Sequence, residues 1–358
     1  MSHLVSFPGL GLSFMVNRVA FTLGSVNVYW YGILIALGLF LGVMFAFRHC
    51  AEFGIDPDRM IDVIAVGTVM AIVCARAYYV AMSPYQYENI WQMLDIRSGG
   101  IAIYGAIAGA FVFGGLACKW RKVPVLPMCD LTAMGFLIGQ GCGRWGNFFN
   151  QEAFGCNTTL PWGMYSEATR AYLSSAVVTL PAGVTADPTL PVHPTFLYES
   201  LWCLAGFVML YFYFKKRRFH GDVALRYAAW YGLGRFWIEG LRTDSLLLVP
   251  ELNLRASQLV AAVTVLAAAA LLVVFTRRSK AAQPLLVPLA LNGETLKALQ
   301  AAQTFQKDGR VGICCADRVS KRPVGASRAE VLAATEAYNK TMLQAVAQYA
   351  NAPQNKGE

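Results

Sequence analysis

Charge is scarce in this sequence. Asp, Glu, Lys and Arg make up 14% of its 358 residues, whereas 56% are hydrophobic. Soluble globular domains usually carry about 25% charged residues, so this composition excludes an ordinary soluble domain and indicates a protein that lives in a membrane. Only four histidines are present, with no cluster at metal-ligand spacing and no nucleic-acid-binding motif. We therefore expect no metal, no cofactor and no nucleic-acid partner.

The hydrophobic residues are gathered into runs of about 20, the length that a helix needs to cross roughly 30 Å of hydrocarbon. They predict an all-α polytopic membrane protein with about seven transmembrane helices. The predicted spans are 29–47, 61–82, 99–118, 126–141, 195–214, 223–241 and 256–275. The first 28 residues lack a basic start, a short apolar run and a small-residue cleavage site. We therefore expect the first span, and not a removable signal peptide, to direct insertion.

Lys and Arg cluster after the odd-numbered runs. The clusters are Arg48, then Lys119 with Arg121 and Lys122, then 215–218, then Arg277 with Arg278 and Lys280. Cytoplasmic loops retain an excess of these residues, so the pattern predicts an outer N-terminus and a cytoplasmic C-terminus. The net charge of +9 is then a sign of topology and of contact with anionic lipid.

The chain divides into three predicted regions. Residues 1–28 form an outer-surface segment, in which Phe21 to Trp30 partly alternates around Gly24-Ser25 and predicts a short hairpin. Residues 29–275 form the transmembrane domain, whose polar stretch 144–194 predicts a small extracytoplasmic head. Residues 276–358 form a cytoplasmic tail, partly helical or disordered, in which Ser327 and Glu330 make a capping-box pattern.

Several polar side chains interrupt the apolar runs: Arg76, Tyr104, Asp130, Gln140, Glu199, Arg235 and Glu239. Such residues are costly in a membrane and need a partner, a water-filled cavity or a function. Arg235 and Glu239 lie four residues apart, so they could simply neutralise each other on one helix face. That explanation leaves the other five without an account.

The densest polar stretch is GRWGNFFNQEAFG, from Gly143 to Gly155. Glycine lets a backbone approach a ligand closely, Asn offers a donor and an acceptor, and the fork of Arg144 suits a phosphate. The stretch follows directly on an apolar run. It therefore predicts a binding site for a phosphate-bearing ligand at the outer leaflet.

This stretch resembles the signature of the prolipoprotein diacylglyceryl transferase family, G-R-x-G-N-F-x-N-x-E-x-x-G, at every fixed position. The resemblance runs from about Phe7 to Phe275. Its other motifs are Trp30-Tyr31-Gly32, Ala75-Arg76, Ser98 to Ile101, His193 to Ser200 (HPTFLYES) and Tyr231 to Arg242 (YGLGRFWIEGLR).

The resemblance implies an inner-membrane transferase that moves the diacylglyceryl group of phosphatidylglycerol to the lipobox cysteine thiol of a preprolipoprotein. A thioether forms and glycerol phosphate leaves. The implied catalytic residues are Tyr31, Tyr104, Arg144, Glu152, Arg235 and Glu239. The expected lipid-binding residues are Arg76, Arg144, Asn147, Gly155, His193, Tyr231 and Arg235. We expect Arg144 and Arg235 to stabilise the charge that develops on the phosphate, with Glu152 and Glu239 orienting them.

The proton acceptor stays open. The family has a histidine, proposed as the base, where this chain has Tyr104, and a tyrosine can act as a base only if a neighbouring cation ionises it. A thiol is already a few per cent ionised at pH 7, so a dedicated base could be dispensable. Two interpretations are open for His193: it is a locally hydrogen-bonded residue before a helix, or it takes part directly in proton transfer. A transporter and a non-catalytic lipid-binding relative are the rival functions.

Overall fold

The computed structural model describes residues 2–24, 26–83, 85, 87–95, 99–175, 186–243, 247–249 and 254–278. The capping box and helix expected in the tail lie outside these residues. Long helices dominate the described chain: α1 (Trp30–His49), α2 (Pro57–Met82), α4 (Ile103–Arg121), α5 (Val125–Asn150), α7 (Thr195–Tyr213), α8 (Asp222–Leu241) and α9 (Ala256–Arg278). Two short helices, α3 (Ile90–Leu94) and α6 (Glu167–Leu173), lie in the connections.

Six of the described helices are long and apolar enough to cross a membrane, namely α1, α2, α4, α5, α7 and α9. This architecture confirms the predicted all-α polytopic class. The predicted sixth span coincides with α8, which is 20 residues long but carries Asp222, Arg226, Arg235 and Glu239. The count of seven spans therefore depends on α8, whose charges are partnered within the protein.

Two of the helix boundaries that differ from the predicted spans bear on the fold and the site. α2 begins four residues before the predicted start, because the Asp56 side chain accepts from the backbone N–H of Arg59 at 3.1 Å and Pro57 occupies the first turn. α5 continues nine residues past the predicted end at Gly141. The signature residues up to Asn150 thus continue the helix, although the sequence placed residues 144–150 in the extracytoplasmic head. At 26 residues, α5 is about 39 Å long and exceeds the hydrocarbon thickness.

The described residues fall into two compact units, and the first takes its residues from Met1–Ala46 and Thr132–Leu285. It contains an antiparallel sheet of order β2-β1-β5, built from β1 (Ser2–Phe7), β2 (Leu12–Asn17) and β5 (Tyr165–Ser166). A second hairpin of β3 (Val19–Leu23) and β4 (Val26–Tyr29) confirms the one predicted between Phe21 and Trp30. A short pair, β6 (Leu247–Val249) and β7 (Leu254–Arg255), precedes α9.

A small hydrophobic core joins the sheet to the segment after α5. It consists of Val5, Val16, Phe154, Met164, Val192 and Phe196. Because Phe196 lies in the first turn of α7, this core also fixes where α7 begins.

Glycines bring α1 and α5 into close contact in the first unit. A Cβ on Gly38 would lie 3.0 Å from the Cα of Gly139, and one on Gly42 would lie 3.1 Å from the Gly135 carbonyl oxygen. Small residues four apart on both helices permit such backbone contact in a membrane. This packing fixes α5, and therefore the signature residues at its end.

The second unit takes its described residues from Phe47–Leu131, where α2 packs on α4. A Cβ on Gly109 would lie 2.6 Å from the Cβ of Cys74, so this pairing also depends on a glycine. An ion pair between Arg121 and Asp62 at 2.7 Å links the ends of the two helices.

Candidate functional site

A buried carboxylate lies at the centre of the polar residues in the first unit. Glu199, on α7, is 5% exposed and pairs with Arg144 of α5, whose Nη2 lies 2.5 Å from Oε2. Arg235 of α8 lies 3.5 Å from Oε1, and Arg242, just after α8, lies 3.8 Å from the same oxygen. One carboxylate thus holds three guanidinium groups from two helices and a helix end.

A second carboxylate completes this charged cluster. Glu239 Oε2 lies 2.6 Å from Nη2 of Arg235, one turn earlier on α8. The pairing predicted from their spacing is therefore present, but Arg235 also faces Glu199. Three arginines and two glutamates leave an excess of one positive charge, which suits an anionic ligand.

One donor nitrogen of Arg235 is only weakly engaged within the protein. Its Nη1 is buried and makes no hydrogen bond to the described residues, and the Glu199 Oε1 that pairs with it lies 3.5 Å away. The side chain lines a small, partly open recess. The other lining residues are Glu199, Trp202, Cys203, Tyr231, Gly234 and Ile238. A buried N–H without an acceptor is costly, so a ligand acceptor in the recess would relieve that cost.

The amides of the signature connect the cluster to Glu152. Arg144 Nη1 lies 3.5 Å from Oδ1 of Asn147, and Asn147 donates to Glu152 Oε1 at 3.0 Å. Asn150 donates to the same oxygen at 3.1 Å. Glu152 therefore orients the two asparagines, whereas the carboxylate that contacts Arg144 is Glu199.

The end of the signature forms a strained turn. Gln151 and Ala153 both have positive φ, at 55° and 56°, which is uncommon for residues with a side chain. Gly155 lies between the segment of His193 and the end of α8. Its N–H donates to the His193 carbonyl at 2.9 Å, and a Cβ on it would lie 2.7 Å from the His193 Cβ and 3.0 Å from the Leu241 carbonyl oxygen. Gly155 thus allows three stretches of chain to meet beside the cluster.

His193 is held by a hydrogen-bond chain. Trp162 Nε1 donates to the Tyr198 hydroxyl at 2.9 Å, and that hydroxyl lies 3.0 Å from His193 Nδ1. An indole N–H only donates, so the Tyr198 proton is available to Nδ1, which favours the tautomer protonated at Nε2. Burial lowers the pKa of His193 below its usual value. These contacts support the first of the two readings, a locally hydrogen-bonded residue.

Two tryptophans clasp α7 to α8 beside the recess. The Trp202 indole N–H donates to the Trp230 carbonyl, and the Trp230 indole N–H donates to the Trp202 carbonyl, both at 2.9 Å. Their rings stack with centroids 4.3 Å apart. Each ring lies over a glycine of the opposite helix, Gly234 under Trp202 and Gly206 under Trp230. The clasp fixes the register that brings Glu199 to Arg235.

Tyr31 supports the end of α5. Its ring lies where a side chain at Gly146 would be, and the neighbouring Trp30 stacks on Phe149 with centroids 5.1 Å apart. Tyr231, on α8, lies within hydrogen-bonding reach of the Arg144 guanidinium. Of the two tyrosines, Tyr231 is therefore the one that meets the charged cluster.

Arg76 organises a loop of the second unit. Its guanidinium donates to four backbone carbonyls, those of Gln92, Met93, Gly99 and Gly100, at 2.6–2.9 Å. Four of its five N–H donors are thus taken by the chain between α2 and α4. These contacts give Arg76 a structural task, and its predicted part in lipid binding stays a prediction.

Tyr104 lies in the first turn of α4, also in the second unit, and is 64% exposed. The next residue, Gly105, packs so closely on α2 that a Cβ would lie 2.6 Å from the Cβ of Tyr78. The start of α4 is therefore fixed against α2. The predicted role of Tyr104 as proton acceptor stays a prediction.

A comparison with known families decides the relationship of the chain. The model of the prolipoprotein diacylglyceryl transferase family matches residues 18–274. The chain belongs to this family. Three relatives are named phosphatidylglycerol–prolipoprotein diacylglyceryl transferase. The protein of Clostridioides difficile strain 630 is 36% identical over 252 residues, which cover 70% of this chain and 92% of the relative. That of Bacillus licheniformis is 40% identical over 261 residues, covering 72% and 92%, and that of Bacillus cereus strain 03BB102 is 41% identical over 245 residues, covering 67% and 86%.

Within this member of the family, the structure brings together most of the residues predicted from the sequence. Tyr31, Arg144, Asn147, Glu152, Gly155, His193, Tyr231, Arg235 and Glu239 all belong to the first unit, and Arg76 and Tyr104 belong to the second. Sequence reasoning gave no role to Glu199 or Arg242. The signal for Glu199 was its charge inside an apolar run, but its three partners are distant in sequence.

Proposed function

We propose that this protein is a transferase that moves the diacylglyceryl group of phosphatidylglycerol to prolipoprotein, the reaction stated in the names of its relatives. The acceptor is the thiol of the lipobox cysteine, and the products are a thioether and glycerol phosphate. The observation that carries the assignment is the arginine cluster, because the buried Nη1 of Arg235 makes no hydrogen bond to the described residues and offers a phosphate oxygen a donor.

The reaction is a nucleophilic displacement at carbon. The cysteine sulfur attacks the glyceryl carbon bonded to the phosphate oxygen, the carbon–sulfur bond forms, and the carbon–oxygen bond breaks. The electron pair stays on the phosphate, where Arg144 and Arg235 stabilise the added charge. Glu199 and Glu239 hold the two guanidinium groups, and Glu152 holds Asn147 beside them. The thiol proton passes to Tyr104 or to another acceptor.

The recess beside Arg235 is small and partly open, so it cannot enclose a whole lipid. The two acyl chains therefore have to lie outside it, among apolar helix surfaces. This arrangement is what a lipid entering sideways from the bilayer requires.

We place the enzyme in the bacterial inner membrane with its N-terminus outside, its tail in the cytoplasm and its active site facing the outer leaflet. The basic clusters support this orientation. In addition, Gln140 and Arg144 on α5 meet Tyr227 and Tyr231 on α8 in the same order. The two helices thus run parallel, as the fourth and sixth spans of a seven-span protein must.

The decisive experiment uses purified full-length protein in liposomes that contain phosphatidylglycerol and a lipobox peptide. Mass spectrometry of the peptide should show one added diacylglyceryl group. Arg235→Ala should abolish the product, whereas Arg170→Ala, which removes an exposed arginine on α6, should retain it. A wild-type protein that adds no such mass would refute the proposed function.

The same assay tests the proton acceptor. If Tyr104 accepts the thiol proton, Tyr104→Phe should lower the rate at saturating lipid and shift its dependence on pH, because the hydroxyl is lost and the ring retained. A Tyr104→Phe enzyme with the full rate and an unchanged pH profile would remove Tyr104 from this role.

A further inference from the structure

A second polar contact joins α5 and α8 one helical turn below the arginine cluster. Gln140 Nε2 donates to the Tyr227 hydroxyl at 2.9 Å. Arg144 and Tyr231 each follow four residues later on the same two helices, and the rings of Tyr227 and Tyr231 stack with centroids 5.8 Å apart. Four residues of helix rise about 6 Å, so the two contacts form parallel rungs separated by about that distance.

The lower rung is not satisfied within the protein. The Gln140 Oε1 atom is buried and has no hydrogen-bond partner among the described residues. Turning the amide by 180° leaves its shape unchanged and lets the Tyr227 hydroxyl donate to Oε1. The amide NH₂ then takes the position without a partner, and it requires an acceptor. In an apolar region, a polar group left in this condition is costly.

We propose that the Gln140–Tyr227 rung binds an ester carbonyl of the diacylglyceryl group. This inference rests on the proposed function. An ester carbonyl is an acceptor only, which matches the NH₂ of Gln140 in the turned orientation. Five bonds separate the phosphorus of a glycerophospholipid from its second ester carbonyl carbon, and at about 1.2 Å advance per bond they span about 6 Å. The two rungs therefore match the spacing of phosphate and ester.

The position of the rung also matches the direction of the lipid. Arg144 lies near the end of α5, whereas Gln140 lies one turn closer to its middle. A lipid whose phosphate meets Arg144 and whose chains enter the bilayer would carry its esters past Gln140.

The contact of Gln140 with the ester affects KM and not kcat. The ester stays attached to the glyceryl group before, during and after transfer, so its contact with Gln140 contributes equally to substrate and transition state. Such uniform binding lowers KM and leaves kcat unchanged. A residue that acted only on protein stability would not distinguish between lipids that differ in their ester carbonyls.

The test compares diacyl phosphatidylglycerol with a dialkyl ether analogue, which has the same phosphate and chain lengths but no ester carbonyls. We expect the wild-type KM to be about three- to tenfold higher for the ether lipid, the effect of roughly one hydrogen bond. Gln140→Met and Tyr227→Phe keep the side-chain volume and should raise KM for the diacyl lipid by that factor while leaving the ether lipid unaffected. Thr264→Val, on α9, is the control, because its hydroxyl donates to the Val260 carbonyl of its own helix.

The outcomes separate this inference from the function on which it rests. A wild-type enzyme that transfers both lipids with equal KM would overturn the ester contact and leave the transferase assignment intact. Variants that raise KM by the same factor for both lipids would show that the rung acts only in helix packing. Absence of transfer from either lipid would refute the transferase function itself.

Discussion

Replacing Glu199 by Gln tests whether this carboxylate organises the site. The substitution preserves the size of the side chain but removes the charge that faces Arg144, Arg235 and Arg242 at 2.5, 3.5 and 3.8 Å. The local balance changes from three positive and two negative charges to three and one. The guanidinium groups then repel one another in a mostly buried place, so we expect lower stability and weaker ordering of both proposed phosphate ligands.

The size of the effect follows from burial. Removing one partner of a buried ion pair costs about 3–5 kcal/mol. Because the side chains of Arg144 and Arg235 remain 20% and 24% exposed, we take the lower end, about 3 kcal/mol. For a domain of this size, each kcal/mol lowers the melting temperature by roughly 2–4 °C, which gives about 6–12 °C for Glu199→Gln.

Thermal unfolding of the purified protein in detergent measures this shift. Glu167→Gln, which changes an exposed glutamate on α6, serves as the matched control and should melt with the wild type. Added phosphatidylglycerol should stabilise Glu199→Gln more than the wild type, because the lipid phosphate replaces part of the lost negative charge. A variant that melts within about 2 °C of the wild type, with and without lipid, would refute the central role of Glu199.

Two further predictions concern residues beside the cluster and in the second unit. Arg76→Lys keeps the charge but replaces a planar fork with one nitrogen, so we expect the amide hydrogens of α3 to exchange faster than in the wild type. Arg59→Lys is the control and should leave that rate unchanged. If α3 exchanges at the same rate in both variants, Arg76 does not organise the loop. Because burial lowers the pKa of His193, its stabilising contribution is complete above the unfolded pKa of about 6.5 and is lost as the pH falls toward the lower folded value. The melting temperature of the wild type relative to His193→Gln should therefore stay constant above pH 7 and decline below about pH 6.5; a difference independent of pH would show that His193 is not held neutral.

The sequence predicted the helices well because runs of apolar residues report directly on membrane spans. It predicted the end of α5 poorly, since Gly143, Gly146 and two asparagines disfavour a helix locally. The helix persists there because Tyr31 and Trp30 pack on it. Strands β1 and β2 were missed for a similar reason, as short strands give weak patterns and the sheet gains its third strand, β5, from a segment that pairs Val5 with Ser166.

In the site, sequence identified the residues better than their partners. Glu152 was expected to orient an arginine, yet it holds Asn147, and the arginine partner is Glu199. Charges that meet across three helices cannot be paired from spacing alone. The i,i+4 pair of Arg235 and Glu239 was visible because it lies on one helix.

The reciprocal clasp of Trp202 and Trp230 has an evolutionary consequence. Each indole needs both the carbonyl of the other tryptophan and a glycine beneath its own ring. A side chain at Gly206 or Gly234 would displace the indole above it, and loss of an indole would leave a gap over the glycine that it covers. These four positions should therefore change together over time, and a single exchange among them should persist only when a second one compensates for it.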